Sequence, residues 1–246
     1  MNEEAHAALL LALGALALRL GLTDAHLAYI RPAMGPLLAL AGAVLVLLGV
    51  VVLLHPQGRG AAVGGTTHGL GDGHDHTGAS RVAWLLVAPI LAIAVVVPRP
   101  LGAFAANRAA STLPPVTRAA IGPLPRPAVP GGPVDLTLKE FVGRAVYDQG
   151  RSLRETPVRL LGFVTPDSRG GGFLLTRFIV TCCAADARPL RVAIRGLAPP
   201  WPAQDTWLEV TGTWRPEVRD VEDQRPPIVD TTGVQAVSPP ASPYLR

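Results

Sequence analysis

Two clusters of residues in this chain have the types and spacing to hold a metal ion. The first is Cys182 and Cys183 followed by Asp186, inside the run RFIVTCCAADA from Arg177 to Ala187. Thiolates are soft donors that select zinc and similar thiophilic ions, and a carboxylate three residues on offers a third ligand. Neighbouring side chains on a strand point to opposite faces, so both sulfurs reach one ion only where the strand ends or bulges. The Ala184-Ala185-Asp186 segment suits such a break, and Arg177 or Arg188 is expected to lower a thiol pKa. Two other readings stand beside this one. One cysteine can fill a core while the other lines a surface turn, or the pair can close a strained eight-membered disulfide. Adjacent cysteines form neither a disulfide framework nor a CxxC redox motif.

The second cluster is HGLGDGHDH, where His68, His74 and His76 with Asp72 and Asp75 lie among closely spaced glycines. Neutral imidazole is a good zinc donor, and glycine lets a loop wrap around an ion. Ordering so flexible a loop costs entropy, so a weak, exchangeable site is expected rather than a tight structural one. A hydrophilic linker that tolerates histidine is the plainer alternative. Zinc is therefore the cofactor expected, if there is one.

Catalysis finds little support. There is no GxSxG, no phosphate-binding GxxxxGK followed by Ser or Thr, and no HExxH. All six histidines precede residue 77, which leaves the rest of the chain without a histidine base. No enzyme activity is expected.

The elements that must position these residues fall into two unlike halves. Residues 1–110 read as a membrane region with helices at about 5–22, 33–54 and 82–98, around a His/Gly-rich loop at 55–81. The second stretch is the strongest: about 20 uncharged residues at 1.5 Å each match a hydrocarbon core of about 30 Å. Buried helices of a soluble protein are the rival reading, as is a cleaved signal peptide for the first stretch. Glu3 and Glu4 stand where a signal peptide carries basic residues. Pro89 is expected to kink the third helix, and residues 98–107 to continue it along the membrane interface. Arg19, Arg31, Arg99 and Arg108 oppose Arg59 and Arg81, which favours a cytoplasmic C-terminal domain under the positive-inside rule. Gly35, Gly42 and Gly49 repeat every seven residues on one helix face, a small-residue stripe suited to docking on a partner helix.

Residues 111–133 change to Pro, Ala and Gly, an extended semi-rigid linker. The soluble domain, 134–246, carries fourteen basic and thirteen acidic residues, so the high isoelectric point does not describe a basic binding surface. One short helix is expected over Leu136 to Tyr147, capped by Thr137 with Glu140. Five strands follow: Val158 to Thr165, Phe173 to Cys182, Leu190 to Arg195, Trp207 to Trp214 and Ile228 to Val237. With Gly162 and Gly212 inside strands, this reads as an all-β OB-like small barrel. Its aromatic residues read as core, and no nucleic acid partner is expected.

The order of spans, His-rich loop and soluble domain, together with GFV at Gly162 to Val164, the CCAADA segment, WLEVTG at Trp207 to Gly212 and the terminal PPASPYLR, resembles the YcgQ-like family of bacterial membrane proteins, known as permease subunits. The resemblance covers nearly the whole chain. It implies an accessory subunit in the cell membrane, working beside a separate multi-spanning permease, with a link to zinc homeostasis. Three helices do not readily form an alternating-access repeat pair, which agrees with an accessory role. The His loop is sparser than that of metal-rich relatives and lacks cysteine, whereas the CCAADA segment shows no departure. A membrane-anchored metal sensor or metallochaperone is the first alternative, and a protein-binding scaffold with no metal role is the second.

Overall fold

A computed structural model describes residues 3–55, 92, 99–109, 122–168, 172–217 and 225–245. The chain divides into two compact units, Met1–Arg99 and Pro100–Arg246.

The first unit contains two 20-residue helices, α1 (Glu3–Leu22) and α2 (Gly35–Leu54), joined by two short 3-10 turns. Among the described residues, one helical stretch is long and apolar enough to cross a membrane, the 23 residues Pro32–Leu54. Only 11% of its most apolar window is buried, unlike a core helix of a soluble protein. The expected first span is a shorter apolar helix, His6–Leu22. The expected third span, 82–98, and the loop at 55–81 lie outside the described residues, apart from His55 and residue 92.

Glycine sets the separation of α1 and α2. A Cβ on Gly42 would stand 2.6 Å from the Leu18 amide nitrogen, and one on Gly14 would stand 2.8 Å from that of Val46. At Gly21 the clash would be with the Ala39 nitrogen, again at 2.6 Å. These pairings run in opposite directions along the two helices, so the helices form an antiparallel hairpin with closely approaching backbones.

In the second unit, α4 (Leu138–Tyr147) begins as its sequence dictates. The Glu140 amide donates to Thr137 Oγ1 at 3.2 Å, and the Thr137 amide donates to Glu140 Oε2 at 2.8 Å. This reciprocal cap satisfies two amides that the first turn would leave unpaired. The helix buries Leu138, Phe141, Val142, Ala145 and Val146 in the same cluster as the interior of the sheet.

Six strands form one mixed sheet: β1 (Val134–Leu136), β2 (Pro157–Pro166), β3 (Phe173–Ile179), β4 (Arg188–Arg195), β5 (Trp207–Trp214) and β6 (Ile228–Ala236). Their order is β1-β2-β3-β4-β6-β5, and β5 also pairs with β2, so five strands close on themselves. β1–β2 and β4–β6 are parallel and the other pairs antiparallel. Period-2 alternation puts Leu208, Val210 and Trp214 of β5 inside, with Val158, Leu160, Leu175, Val192 and Ile194. Gly162 and Gly212 allow close approach at bends. A Cβ on Gly212 would stand 2.4 Å from the Asp230 carbonyl oxygen, where the β5–β6 register shifts.

One expectation about the boundary between the halves is corrected. Residues 101–109 do not continue a membrane helix. They fold into α3 (Ala103–Arg108), which belongs to the second unit. Ala103 and Ala106 are fully buried against an outer aromatic cluster of Phe163, Phe178 and Trp207. Alanine is small enough to lie close on those rings, and the segment's amides find partners: Ala103 donates to Asp205 Oδ1 at 2.6 Å and Leu101 to the Tyr244 hydroxyl at 2.9 Å. The end of the proline-rich tract is also bound. The buried Arg144 guanidinium donates to the carbonyl oxygens of Gly122 at 3.0 Å and Pro123 at 3.1 Å.

Candidate metal centre

The Cys182–Cys183–Asp186 cluster sits on the connection from β3 to β4. The antiparallel ladder ends at Ile179–Arg188, so the residues between leave strand geometry and both sulfurs can lie on one side. A single 3-10 turn, Ala184–Asp186, closes the connection.

Asp186 organises this turn. Its Oδ1 accepts from the Thr181 amide at 2.7 Å, and its Oδ2 accepts from the amides of Cys182 at 2.7 Å and Cys183 at 3.3 Å. Burial by itself would raise the carboxyl pKa, but the hydrogen bond from the Cys182 thiol and those from the three amides outweigh it and hold the group at about 2. Asp186 is therefore ionised at neutral pH. The same geometry presents the cysteines together. The sulfurs of Cys182 and Cys183 lie 3.6 Å apart, both are free, Cys182 is exposed and Cys183 half-buried. One donor atom from each of Cys182, Cys183 and Asp186 lies within 4.8 Å of the others.

The strand leading into the turn is held from outside. The C-terminal tail runs beside the end of β3: the Leu245 amide donates to the Phe178 carbonyl at 2.7 Å, and the Val180 amide to the Leu245 carbonyl at 3.1 Å. The Arg177 guanidinium, mostly buried, donates to the carbonyl oxygens of Ser242 at 2.7 Å and Pro243 at 3.2 Å, and lies over the Trp207 ring. Burial lowers its pKa to about 10, which leaves it a cation at neutral pH.

The expectation that Arg177 or Arg188 lowers a thiol pKa is corrected. Cys182 is pushed up to about 11, first by its hydrogen bond to Asp186 and then by that to Cys183. The charge nearest the sulfur is a carboxylate, and a negative neighbour disfavours the thiolate. Arg177 is committed to the tail carbonyls. Without an ion, Cys182 is therefore held in its thiol form at neutral pH.

The donor set fits a thiophilic divalent ion. Two thiolates on one tetrahedral zinc, each about 2.3 Å from it, lie about 3.8 Å apart, close to the observed 3.6 Å. A cation there would take the place of the thiol proton and reverse the sign of the local field. Among the described residues this is the one group of three or more potential metal-donor side chains, and residues 134–246 contain no histidine and no further cysteine. Any fourth ligand is therefore water, another carboxylate, or a group from outside this domain.

The other expected site residues are placed elsewhere. His68, His74 and His76 lie outside the described residues. Gly35, Gly42 and Gly49 are all buried, facing His26, Leu18 and Leu11. The glycine stripe thus receives α1 and its following turn from the same chain, where a separate permease helix was expected. What the sequence reading missed is the support of the turn: the clamp of the tail by Arg177 and the bracing of the turn by the Asp186 carboxylate. The SPYL ending stands out in the sequence, but no periodicity assigns it a partner.

Residues 138–245 match the family described as the DUF1980 C-terminal domain. The match runs from α4 to the tail and includes the whole Cys-Cys-Asp turn. No curated protein and no solved structure matches the chain.

Proposed function

We propose that this protein is a bacterial membrane-anchored accessory subunit that binds a divalent thiophilic ion, zinc in the first instance, at Cys182, Cys183 and Asp186, and serves a separate multi-spanning permease. The observation that carries the reading is the convergence of two sulfurs and an ionised carboxylate on one accessible turn, at a spacing suited to zinc. The span Pro32–Leu54 supports anchoring in the bilayer. The strand order supports an OB-like barrel, a fold that carries binding sites more often than it supplies catalytic groups of its own. The permease partner and the cell-membrane location rest on the resemblance to the YcgQ-like family.

Exposure of Cys182 favours a second reading, a membrane-anchored metallochaperone or sensor. A site with three donors on one side and an open face releases its ion to a competing ligand more readily than a closed four-ligand site.

The test is zinc competition against a chromophoric chelator, using the detergent-solubilised full chain under reducing conditions, beside the Cys182→Ser/Cys183→Ser variant. One ion per chain, lost in the variant, is the expected result. Equal binding in both would remove the site. Co-purification of a multi-spanning protein separates the permease reading from the chaperone reading.

A further inference from the structure

A second site lies on the outer face of β3 and β4, away from the residues assigned to metal. Five-stranded Greek-key barrels of this order take ligands on the outer face of their second and third strands, between the loop joining the first two strands and the loop joining the last two. Counted from β2, those strands are β3 and β4, and the loops are those after Pro166 and after Trp214. A cavity of about 590 Å³ occupies that position, walled by Asp167 and Ser168 on one side and by Glu217 and Arg225 on the other. Its size falls within the range of small-molecule sites, about 300–1,000 Å³.

The floor is apolar. Leu174 and Ala193 are paired directly across β3 and β4. Arg191 and Arg195 flank Ala193 on the same face of β4, two residues to either side. Their Cα positions are about 14 Å apart at about 3.4 Å per residue. The two guanidinium groups are not equivalent. Arg195 is neutralised by Asp167, with Nη2 2.5 Å from Oδ2. Arg191 is half-buried, forms no ion pair among the described residues, and donates to the neutral carbonyl oxygens of Ala106 and Ala109. Arg225 and Glu217 also line the cavity. Among the described lining residues, three guanidinium groups against two carboxylates leave an excess of one positive charge on the wall of a partly desolvated cavity. Guanidinium has more donors than two carbonyls use, and it matches oxyanions in geometry.

We propose that this cavity binds a small phosphorylated organic molecule of mononucleotide size. The phosphate lies against Arg191, and an apolar or planar body covers Leu174 and Ala193. This does not depend on the metal site, and loss of the cysteine pair leaves it intact.

The experiment is calorimetric titration of the detergent-solubilised full chain with AMP, inorganic phosphate and a single-stranded oligodeoxynucleotide. Ser168 is exposed on the rim, so Ser168→Glu adds a negative charge without disturbing the core. AMP is expected to bind, and more tightly than phosphate. Ser168→Glu should weaken it about tenfold, the order expected for one unit charge acting across several ångströms of partly hydrated protein. Arg191→Gln should abolish binding, with the circular dichroism spectrum checking its fold. No AMP binding, or AMP binding unchanged in Ser168→Glu, overturns the proposal. Phosphate binding as tight as AMP removes the organic body from it, and much tighter oligonucleotide binding reassigns the face to nucleic acid.

Discussion

Asp186→Asn should make the adjacent thiol more reactive while removing a proposed metal ligand, a combination that few other roles for Asp186 produce. The carboxylate is the largest single reason that the Cys182 pKa stands at about 11 instead of the ordinary 9.0. If the amide restores the ordinary value, the thiolate fraction at pH 8 rises from about 0.1% to about 9%, or about 90-fold. A less basic thiolate is also a weaker nucleophile. With a Brønsted slope of about 0.45, a drop of two pKa units cuts intrinsic reactivity about eightfold, leaving a net gain of about tenfold. The asparagine side-chain oxygen can still accept from the thiol, so tenfold is an upper figure. The assay is the second-order rate of iodoacetamide alkylation at pH 8 in metal-free buffer, with Cys183→Ser as background so that only Cys182 is counted. An unchanged or slower rate would show that Asp186 does not control this thiol, and would refute the electrostatic account of the turn.

Other consequences follow from the same contacts. Folding lowers the Asp186 pKa from 3.8 to about 2, so its contribution to the turn is complete above pH 4 and is lost as the pH falls toward 2; hydrogen-exchange protection of the Thr181 and Cys182 amides should fall across that window and not between pH 5 and 8. Arg177→Met leaves the carbonyls of Ser242 and Pro243 without their donor, costing about 1–3 kcal/mol, and should expose the C-terminal tail to carboxypeptidase while the barrel core keeps its protection. Gly42→Leu forces α1 and α2 apart, because even a Cβ there meets the Leu18 backbone at 2.6 Å; hydrogen-exchange protection of the two helices should fall, whereas Ala43→Leu, at an exposed position, should leave it unchanged.

Local signals in the sequence carried much of the second unit. Strand-like runs bounded by Gly, Pro and Asp identified β2 to β6. Thr137 and Glu140 identified the helix start, because the reciprocal cap is written in two residues three apart. β1 escaped because three residues hold too little pattern, and it exists through parallel pairing with Val158 to Leu160. Ala103 to Arg108 was misassigned because a run rich in alanine reads alike beside lipid and against Phe163, Phe178 and Trp207. The glycine stripe on α2 was visible but its partner was not, since spacing says that a helix packs there and not which one. At the candidate metal centre the three donors were readable from their types, but the strand ends at Ile179, ahead of the cysteines, where the break was expected at Ala184. The direction of the Cys182 shift was not readable, because it depends on the carboxylate folding back onto the amides of 181–183 while Arg177 turns away to the tail. Such long-range capture leaves no period in a sequence.

The measurement closest to the central claim is zinc K-edge absorption fine structure on the zinc-loaded full chain. Two sulfur neighbours at about 2.3 Å, with the remaining ligands oxygen or nitrogen at about 2.0–2.2 Å, are predicted for the Cys182–Cys183–Asp186 turn. A shell of oxygen and nitrogen alone, or the same spectrum from the Cys182→Ser/Cys183→Ser variant, would contradict it.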